Sequence, residues 1–155
     1  MVASSKLHHA QTAIQNMLPY ENTLEHILKS FLVSTPDADI PFDKPRQVKH
    51  VALLVFTSNS SLCGGFNNNV IKKMLDVIKE YKDKGLTDDD ILIYPIGRKV
   101  EEKVRKMHLH AAGSYLQLAD KPDSESCRQI AIEVGTKWMH GEVDKVEMIY
   151  HHFKS

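Results

Sequence analysis

The segment 58–69, which runs from Ser58 to Asn69, holds the residues of this sequence best suited to contact an anion. It combines two adjacent glycines with hydroxyl and amide side chains. It also stands between the first predicted strand and the first predicted helix, where a doubly wound α/β fold binds its ligand. The segment matches neither the dinucleotide pattern of three spaced glycines nor the P-loop, which requires Gly-Lys-Ser/Thr. We therefore favour a tight turn in which Asn67, Asn68 or Asn69 caps the helix, and anion binding at the helix N-terminus stays open as the alternative.

The histidines and cysteines offer little further chemistry. Of the nine histidines, only His108 and His110 could share a face if their segment is extended, and a zinc site would need a third ligand at a recognisable spacing. Cys63 could act as a nucleophile only beside a base and an orienting group, and no such signature accompanies it. We expect Cys63 and Cys127 to be reduced thiols, Cys63 to be buried and unmodified, and the chain to bind no metal or cofactor.

Composition and charge argue against two classes of partner. The 155-residue chain has 20 basic and 20 acidic residues, so its formal net charge is zero. A nucleic-acid-binding protein needs a basic excess on one face, and a transmembrane helix needs roughly 20 consecutive apolar residues. We therefore expect no nucleic-acid partner and no direct membrane insertion. A role at a membrane would require binding to a protein that is embedded there.

Residues 1–33 are predicted to form a long helix that carries the seam of a coiled coil. Apolar side chains recur at alternating spacings of three and four, and the seam consists of Leu7, Ala10, Ile14, Met17, Leu24, Leu28 and Phe31. Glu21 occupies one seam position and Pro19 removes a backbone donor, so a kink or weak point is expected there. Further apolar residues off the seam indicate more than one neighbour, although an ordinary amphipathic helix stays open.

A proline-rich linker over residues 34–47 separates this helix from a domain over residues 48–155. Beyond the linker, buried-strand and amphipathic-helix patterns alternate, with strands predicted at 48–57, 91–96, 111–118 and 145–153. Helices are predicted at 70–81, 98–107 and 123–140, the last with a capping box formed by Ser126 and Gln129. This alternation predicts an α/β fold, a Rossmann-like and mostly parallel sheet with helices on both faces, preceded by the long coiled-coil-type N-terminal helix.

Two motifs resemble one known family. Residues 1–6, Met-Val-Ala-Ser-Ser-Lys, are similar to the Met-Val-Ala-x-x-Lys segment of the gamma subunit of F-type ATP synthases. The block Leu62, Cys63, Gly64, Gly65, Phe66 and Asn67 is similar to the most distinctive signature of that family. The family usually has an acidic residue, a basic residue and a glycine before this signature, where this chain has Asn59, Ser60 and Ser61. If that glycine serves a backbone with a positive φ, Ser61 must tolerate strain or the turn must differ.

The resemblance implies a non-catalytic rotor subunit, the central stalk. In that family the N- and C-terminal helices pair as an antiparallel coiled coil inside the ring of alpha and beta subunits. The α/β domain lies beside the epsilon subunit and on the membrane c-ring. The resemblance therefore implies that the protein transmits torque from a proton-driven ring to the catalytic subunits, at the cytoplasmic face of the bacterial inner membrane.

Two further expectations accompany the resemblance. The family chain extends beyond both ends of this one, so we expect a fragment whose unpaired seam could associate with a second copy. A free-standing α/β module that binds a small anionic ligand at the segment from Ser58 to Asn69 is the alternative function. An enzyme that uses Cys63 ranks below both.

Overall fold

The computed structural model describes residues 2–34 and 45–152, and within the first range it leaves out the side chains of residues 20, 28, 31, 32 and 34. The described residues fall into two compact units along these ranges. Most of the predicted linker lies outside the described residues, as does residue 153 at the end of the last predicted strand. That strand ends at Ile149, so its prediction was too long by the described residues 150–152. Met1 of the opening motif also lies outside the described residues.

The first unit is one helix, α1, over Val2–Ser34, so the prediction of a long N-terminal helix is confirmed. The helix includes Pro19, which has no amide hydrogen to donate to the carbonyl of the preceding turn. The hydroxyl of Thr23 donates to the carbonyl oxygen of Pro19 itself at 2.8 Å, which is a different acceptor from the one that lacks the Pro19 amide. None of the helices in the described residues combines the length and the apolar content needed to cross a membrane.

The second unit is built on a parallel sheet of four strands, β1 (Val51–Phe56), β2 (Ile91–Ile96), β3 (His110–Ala111) and β4 (Lys145–Ile149). Their order is β3-β2-β1-β4, and every neighbouring pair is parallel. The chain therefore builds outwards from β1 to β3 and then returns to place β4 on the other side of β1. The carboxyl ends of β1 and β4 flank the point at which the strand order reverses, which is where open α/β sheets bind ligands.

Helices cover both faces of the sheet, as predicted. On one face, α2 (Phe66–Asp83) and α3 (Arg98–Lys106) pack on Val51, Leu53 and Val55 of β1. On the other face, α4 (Leu116–Asp120) and α5 (Ser124–Met139) pack with Ala52. Because side chains alternate between the faces of a strand, burial of both sets explains why β1 reads as an almost continuous apolar run.

Two local predictions were wrong, and the first strand is shorter than the apolar run that indicates it. The strand covers Val51–Phe56, because the amides of Lys49 and His50 donate to a carboxylate oxygen of Asp144, at 2.9 and 3.0 Å, and not to a neighbouring strand. The strand predicted at 111–118 is reduced to β3, because the following residues form α4 and bury Leu118. The capping box at the start of the last helix is absent, because the Asp123 side chain accepts from the amide of Ser126 and is itself the N-cap.

Candidate functional site: the loop after the first strand

Asn67 organises the segment 58–69, which we call the signature loop. Its side chain is buried and bridges the start of α2 to the end of β1. The Asn67 amide oxygen accepts from the backbone amide of Ser58 at 2.9 Å. Its amide nitrogen donates to the hydroxyl of Ser58 at 3.0 Å and to the carbonyl oxygen of Ser60 at 2.9 Å. One side chain therefore satisfies three polar groups of the loop.

The helix that follows the loop has no asparagine cap. Its N-cap is Gly65, and no side chain bonds to the first amides as a cap, so the prediction that Asn67, Asn68 or Asn69 caps α2 was wrong. The physical reason is that Asn67 already lies inside the helix and turns back towards β1. The chain enters the helix through Gly64, whose φ of 54° lies in the left-handed region, and Gly65, whose φ is −79°.

Cys63 is half-buried, so the prediction of a buried thiol was wrong. The loop turns at the surface here, and the neighbouring side chain of Leu62 is 96 % exposed. The Cys63 sulfur lies 3.2 Å from the hydroxyl oxygen of Ser58, and it donates weakly to the carbonyl oxygen of Ser60 at 3.7 Å. Both cysteines are free thiols, and Cys127 is exposed. The contacts of Cys63 are therefore those of a residue that helps to close the turn.

The residues that depart from the family pattern form their own contacts. The side chain of Asn59 donates to the carbonyl oxygen of Leu116 at 2.8 Å and accepts from the amide of Arg98 at 2.8 Å. It thus joins the loop to the start of both α3 and α4. Among the non-glycine residues that the structure describes, only His108 has a positive φ. Ser61 therefore has an ordinary backbone conformation, and a serine is accommodated there without strain.

Thr57, just after β1, and Gly97, just after β2, approach each other closely next to the loop. The sequence patterns did not predict this contact. The Thr57 hydroxyl accepts from the amide of Val100 at 3.0 Å and so satisfies the start of α3. Gly97 has a φ of 107°, and a Cβ there would clash with the carbonyl oxygen of Thr57. The sequence does show a glycine between a predicted strand and a predicted helix. It does not show that this glycine lies against Thr57, just after the neighbouring strand, because the two residues are 40 positions apart.

An apolar cavity of about 440 Å³ opens beside the loop, at the carboxyl ends of β1 and β4. Phe56, Phe66, Met148 and Tyr150 contribute most of its apolar lining. The ring of His151 stacks on Phe66, with centroids 4.2 Å apart, and its Nε2 donates to the carbonyl oxygen of Phe66 at 2.8 Å. The last described residues are thereby attached to the first turn of α2.

The hydrogen bonds of the loop fix its shape. The amides of Ser58, Leu62, Phe66 and Asn69 donate to groups within the segment. The first amides of α2, on which an anion site at a helix N-terminus would depend, have no side-chain cap. These hydrogen bonds therefore explain the conformation of the loop and do not decide between the two functions.

The histidines that the sequence analysis considered as ligands are directed elsewhere. The Nε2 of His110 lies 2.6 Å from a carboxylate oxygen of Asp89, and His108 has the left-handed φ of 56° at the end of α3. In residues 2–34 and 45–152, no group of three or more histidine, cysteine or acidic side chains is placed to hold a metal ion.

The predicted seam residues all belong to α1, which precedes the signature loop in the sequence. Of those whose side chains are described, Leu7, Ala10, Met17 and Leu24 are exposed, and Ile14 is half-buried. Leucine and methionine side chains are usually buried. The exposed fractions here are large: 57 % for Leu7, 61 % for Met17 and 48 % for Leu24. The side chains of Leu28 and Phe31 lie outside the described part.

The fold and the two sets of residues define a class: a Rossmann-like α/β domain whose chain begins with a long helix that carries an exposed apolar seam. The family model described as ATP synthase matches residues 1–155. The chain belongs to the ATP synthase gamma-chain family.

The individual relatives agree with the family model. The chain is 47 % identical over 155 residues to the ATP synthase gamma chain of Phocaeicola vulgatus and 49 % identical over 155 residues to that of Bacteroides fragilis, and each match covers the whole chain and 53 % of the relative. It is 36 % identical over 157 residues to the chloroplastic ATP synthase gamma chain 1 of Arabidopsis thaliana, of which it covers 41 %. The chain therefore spans about half the length of the curated relatives it matches. Membership over the whole chain does not support a free-standing anion-binding module.

Proposed function

We propose that this chain is part of the central stalk of an F-type ATP synthase and that α1 transmits torque. The exposed seam of α1 carries this proposal. Burial of a leucine or methionine side chain is worth about 1.5–3 kcal/mol, and most of the stability of a helix in a protein comes from the packing of its apolar face. A helix with Leu7, Met17 and Leu24 in solvent is therefore one that packs against another helix in the assembled protein.

The residues of the seam have one role in this proposal, and those of the signature loop another. Leu7, Ala10, Ile14, Met17, Leu24, Leu28 and Phe31 pack on a partner helix of the same subunit. Leu62, Cys63, Gly64, Gly65, Phe66 and Asn67 form the turn that joins β1 to α2, and the Asn67 side chain fixes this turn, which suits a domain that must carry load without changing shape. The chain itself performs no catalysis in this proposal.

The partners follow from membership of the family. We propose that the helix lies within the ring of alpha and beta subunits and that the α/β domain contacts the epsilon subunit and the membrane c-ring. The subunit would act at the cytoplasmic face of a bacterial inner membrane, as a peripheral part of a proton-translocating complex. We assign residues 1–33 to the shaft, 34–47 to the linker and 48–155 to the α/β domain.

A chimera tests this function. The 155 residues replace the matching part of the gamma chain of Bacteroides fragilis, with which they are 49 % identical, and the enzyme is purified through a tag on a beta subunit. We expect the chimeric gamma chain to co-purify in the same ratio to beta as the unaltered one. A chimera that is soluble and folded but absent from the purified complex would contradict the proposal.

A further inference from the structure

Arg46, a few residues before β1, reaches the end of α5 with its side chain. Its guanidinium carbon lies 3.6 Å from the centroid of the Trp138 ring, which is the geometry of a cation–π contact. Its Nη1 donates to the carbonyl oxygen of Trp138 at 2.9 Å and to that of Val143 at 3.4 Å. The same nitrogen lies 3.7 Å from a carboxylate oxygen of Asp144. One side chain therefore contacts the last turn of α5 and the segment that leads into β4.

These contacts, which we call the Arg46 clamp, depend on the chemistry of arginine. A guanidinium has a flat face that stacks on an indole ring, and the donors in its plane reach several oxygens at once. Trp138 belongs to the last turn of α5, where the negative end of the helix dipole favours a cation. The side chains of Arg46 and Asp144 are 30 and 12 % exposed, so water screens this pair less than a pair on the open surface.

The Arg46 clamp lies at the amino ends of β1 and β4, at the opposite edge of the sheet from the signature loop. The carboxylate of Asp144 also accepts from the amides of Lys49 and His50, just before β1. Arg46 itself belongs to the end of the linker that the sequence predicts over residues 34–47, and its hydrogen-bond acceptors lie 92 and 97 positions further along the chain. The clamp therefore attaches the end of the predicted linker to the far end of the domain's sequence.

We propose that Arg46 is a positioning residue, which fixes the place and the direction in which the linker joins the α/β domain. This inference rests on the proposed central-stalk function, in which a turning force passes between α1 and the domain. Each residue of a peptide chain has two soft dihedral angles, so a linker that enters a domain freely turns about its own bonds. A linker whose last residues are hydrogen-bonded to α5 and to the start of β4 passes the force to those elements.

The order parameter of the Gln47 amide, measured by ¹⁵N relaxation on the 155-residue chain, tests whether Arg46 fixes this end of the linker. We expect about 0.85, a rigid backbone, in the unaltered chain and less than about 0.6 with Arg46→Ala. The amide of Leu53, in the middle of β1, should stay rigid in both. Lys49→Ala is the control. It removes a positive charge from an exposed position of the same segment and keeps the backbone amide that bonds to Asp144.

Two comparisons separate positioning from a general effect on stability. Arg46→Lys keeps the charge without the flat face, and it should leave Gln47 more mobile than in the unaltered chain. A residue that only adds to the free energy of unfolding would leave the mobility of Gln47 in the folded state unchanged. A Gln47 amide that is as rigid with Arg46→Ala as in the unaltered chain would therefore overturn the proposal, whatever change in stability accompanies it.

Proton pumping by the Bacteroides fragilis chimera tests the mechanical consequence. We expect Arg46→Ala to lower the number of protons pumped per ATP hydrolysed, because part of the rotation is lost in the linker, and Lys49→Ala to match the chimera. Full pumping with Arg46→Ala would overturn the assignment of Arg46 to force transfer. A chimera that hydrolyses ATP and pumps no protons would instead contradict the central-stalk function, and the Arg46 clamp would then be decided by the relaxation result alone.

Discussion

Asn67 and Gly97 are the two residues on which the geometry of the signature loop depends most. Asn67 does so through its side chain, which joins the Ser58 amide, the Ser58 hydroxyl and the Ser60 carbonyl. Gly97 does so through the absence of a side chain, since its backbone passes directly against Thr57. Each acts on the arrangement of the strand and the helices that adjoin the loop.

Replacement of Asn67 tests the first of these residues. Asn67→Ala leaves the Ser58 amide and the Ser60 carbonyl without their partners, so we expect the free energy of unfolding to fall by about 2–3 kcal/mol. The measurement is equilibrium unfolding in urea. Asn68→Ala is the matched control, because Asn68 is exposed on the next position of α2 and should change stability by about 0.5 kcal/mol or less. Equal effects at the two positions would show that the side chain of Asn67 does not support the loop.

Two glycine substitutions test the backbone argument. Gly97→Ala places a Cβ against the carbonyl of Thr57 at a φ of 107°, so we expect a loss of more than about 3 kcal/mol in the free energy of unfolding. Gly65→Ala has a φ of −79°, and its Cβ would lie 3.5 Å from the Asn69 side chain, an ordinary contact. We expect Gly65→Ala to have nearly the stability of the unaltered chain. If thermal unfolding shows the two variants to be alike, the close approach of Gly97 does not exist in solution.

At the scale of elements, Asp144 attaches the segment before β1 to the start of β4. Its carboxylate accepts from the amides of Lys49 and His50 and lies 3.7 Å from the guanidinium of Arg46. Burial alone would raise the pKa of Asp144, but the two amides, together with the charges of His50 and Arg46, outweigh it and hold the pKa below its usual value. A group whose pKa is lowered by folding stabilises the folded state above its unfolded pKa, and this contribution is lost as the pH falls.

Asp144→Asn is therefore expected to destabilise the chain by about 2 kcal/mol at neutral pH. The difference from the unaltered chain should shrink as the pH falls from about 4, the pKa of an aspartate in the unfolded chain, through the lower pKa of Asp144 in the folded chain. Urea unfolding at a series of pH values measures this difference. Asp76→Asn, at an exposed position of α2, should show no such pH dependence. A constant difference for Asp144→Asn across the series would contradict the role of its charge.

The helix α1 should associate in the isolated chain. With no partner helix, its seam leaves Leu7, Met17 and Leu24 in water, so we expect either pairing with the same helix of a second copy or fraying of its first turns. Sedimentation at increasing concentration should show dimers that Ile14→Asp with Leu24→Asp abolishes. Thr12→Asp with Asn22→Asp adds the same charge off the seam and should leave association unchanged. A stable monomer with an ordered, exposed helix would contradict the coiled-coil interpretation.

The sequence predicted those elements whose pattern repeats along the chain and missed those that depend on one contact. The strand at 91–96 was predicted with its observed bounds, because burial on both faces gives a continuous apolar run between clear turn signals. The contact that limits the start of β1 to Val51 could not be predicted, because it is made by the Asp144 carboxylate, 94 residues from His50 in sequence.

The contacts of Asn67 and Asn59 were missed because they also join distant parts of the chain. Asn67 was predicted as a possible helix cap from its position, and only the fold shows that it bonds to Ser58 and Ser60. Asn59 bonds to Leu116 and Arg98, 57 and 39 residues away in sequence.

At the scale of the whole molecule, the chain combines an exposed helical seam with a domain whose loop is bonded to itself. The first property calls for a partner helix, and the second holds the end of β1 against the start of α2. Both are expected of a shaft that transmits force between other subunits. Membership of the ATP synthase gamma-chain family over all 155 residues supports the same proposal.

Proton pumping driven by ATP hydrolysis tests the central-stalk proposal most directly. Membrane vesicles are prepared with the Bacteroides fragilis chimera, with its Ile14→Asp and Leu24→Asp variant, and with its Thr12→Asp and Asn22→Asp control, and acidification is measured against ATP hydrolysed. We predict that the chimera and the control pump at a similar ratio of protons to ATP. The seam variant should lose most of its pumping, because two charges in the seam separate the helices that carry torque. Pumping by the seam variant at the ratio of the control would contradict the proposal that α1 is the torque-bearing shaft.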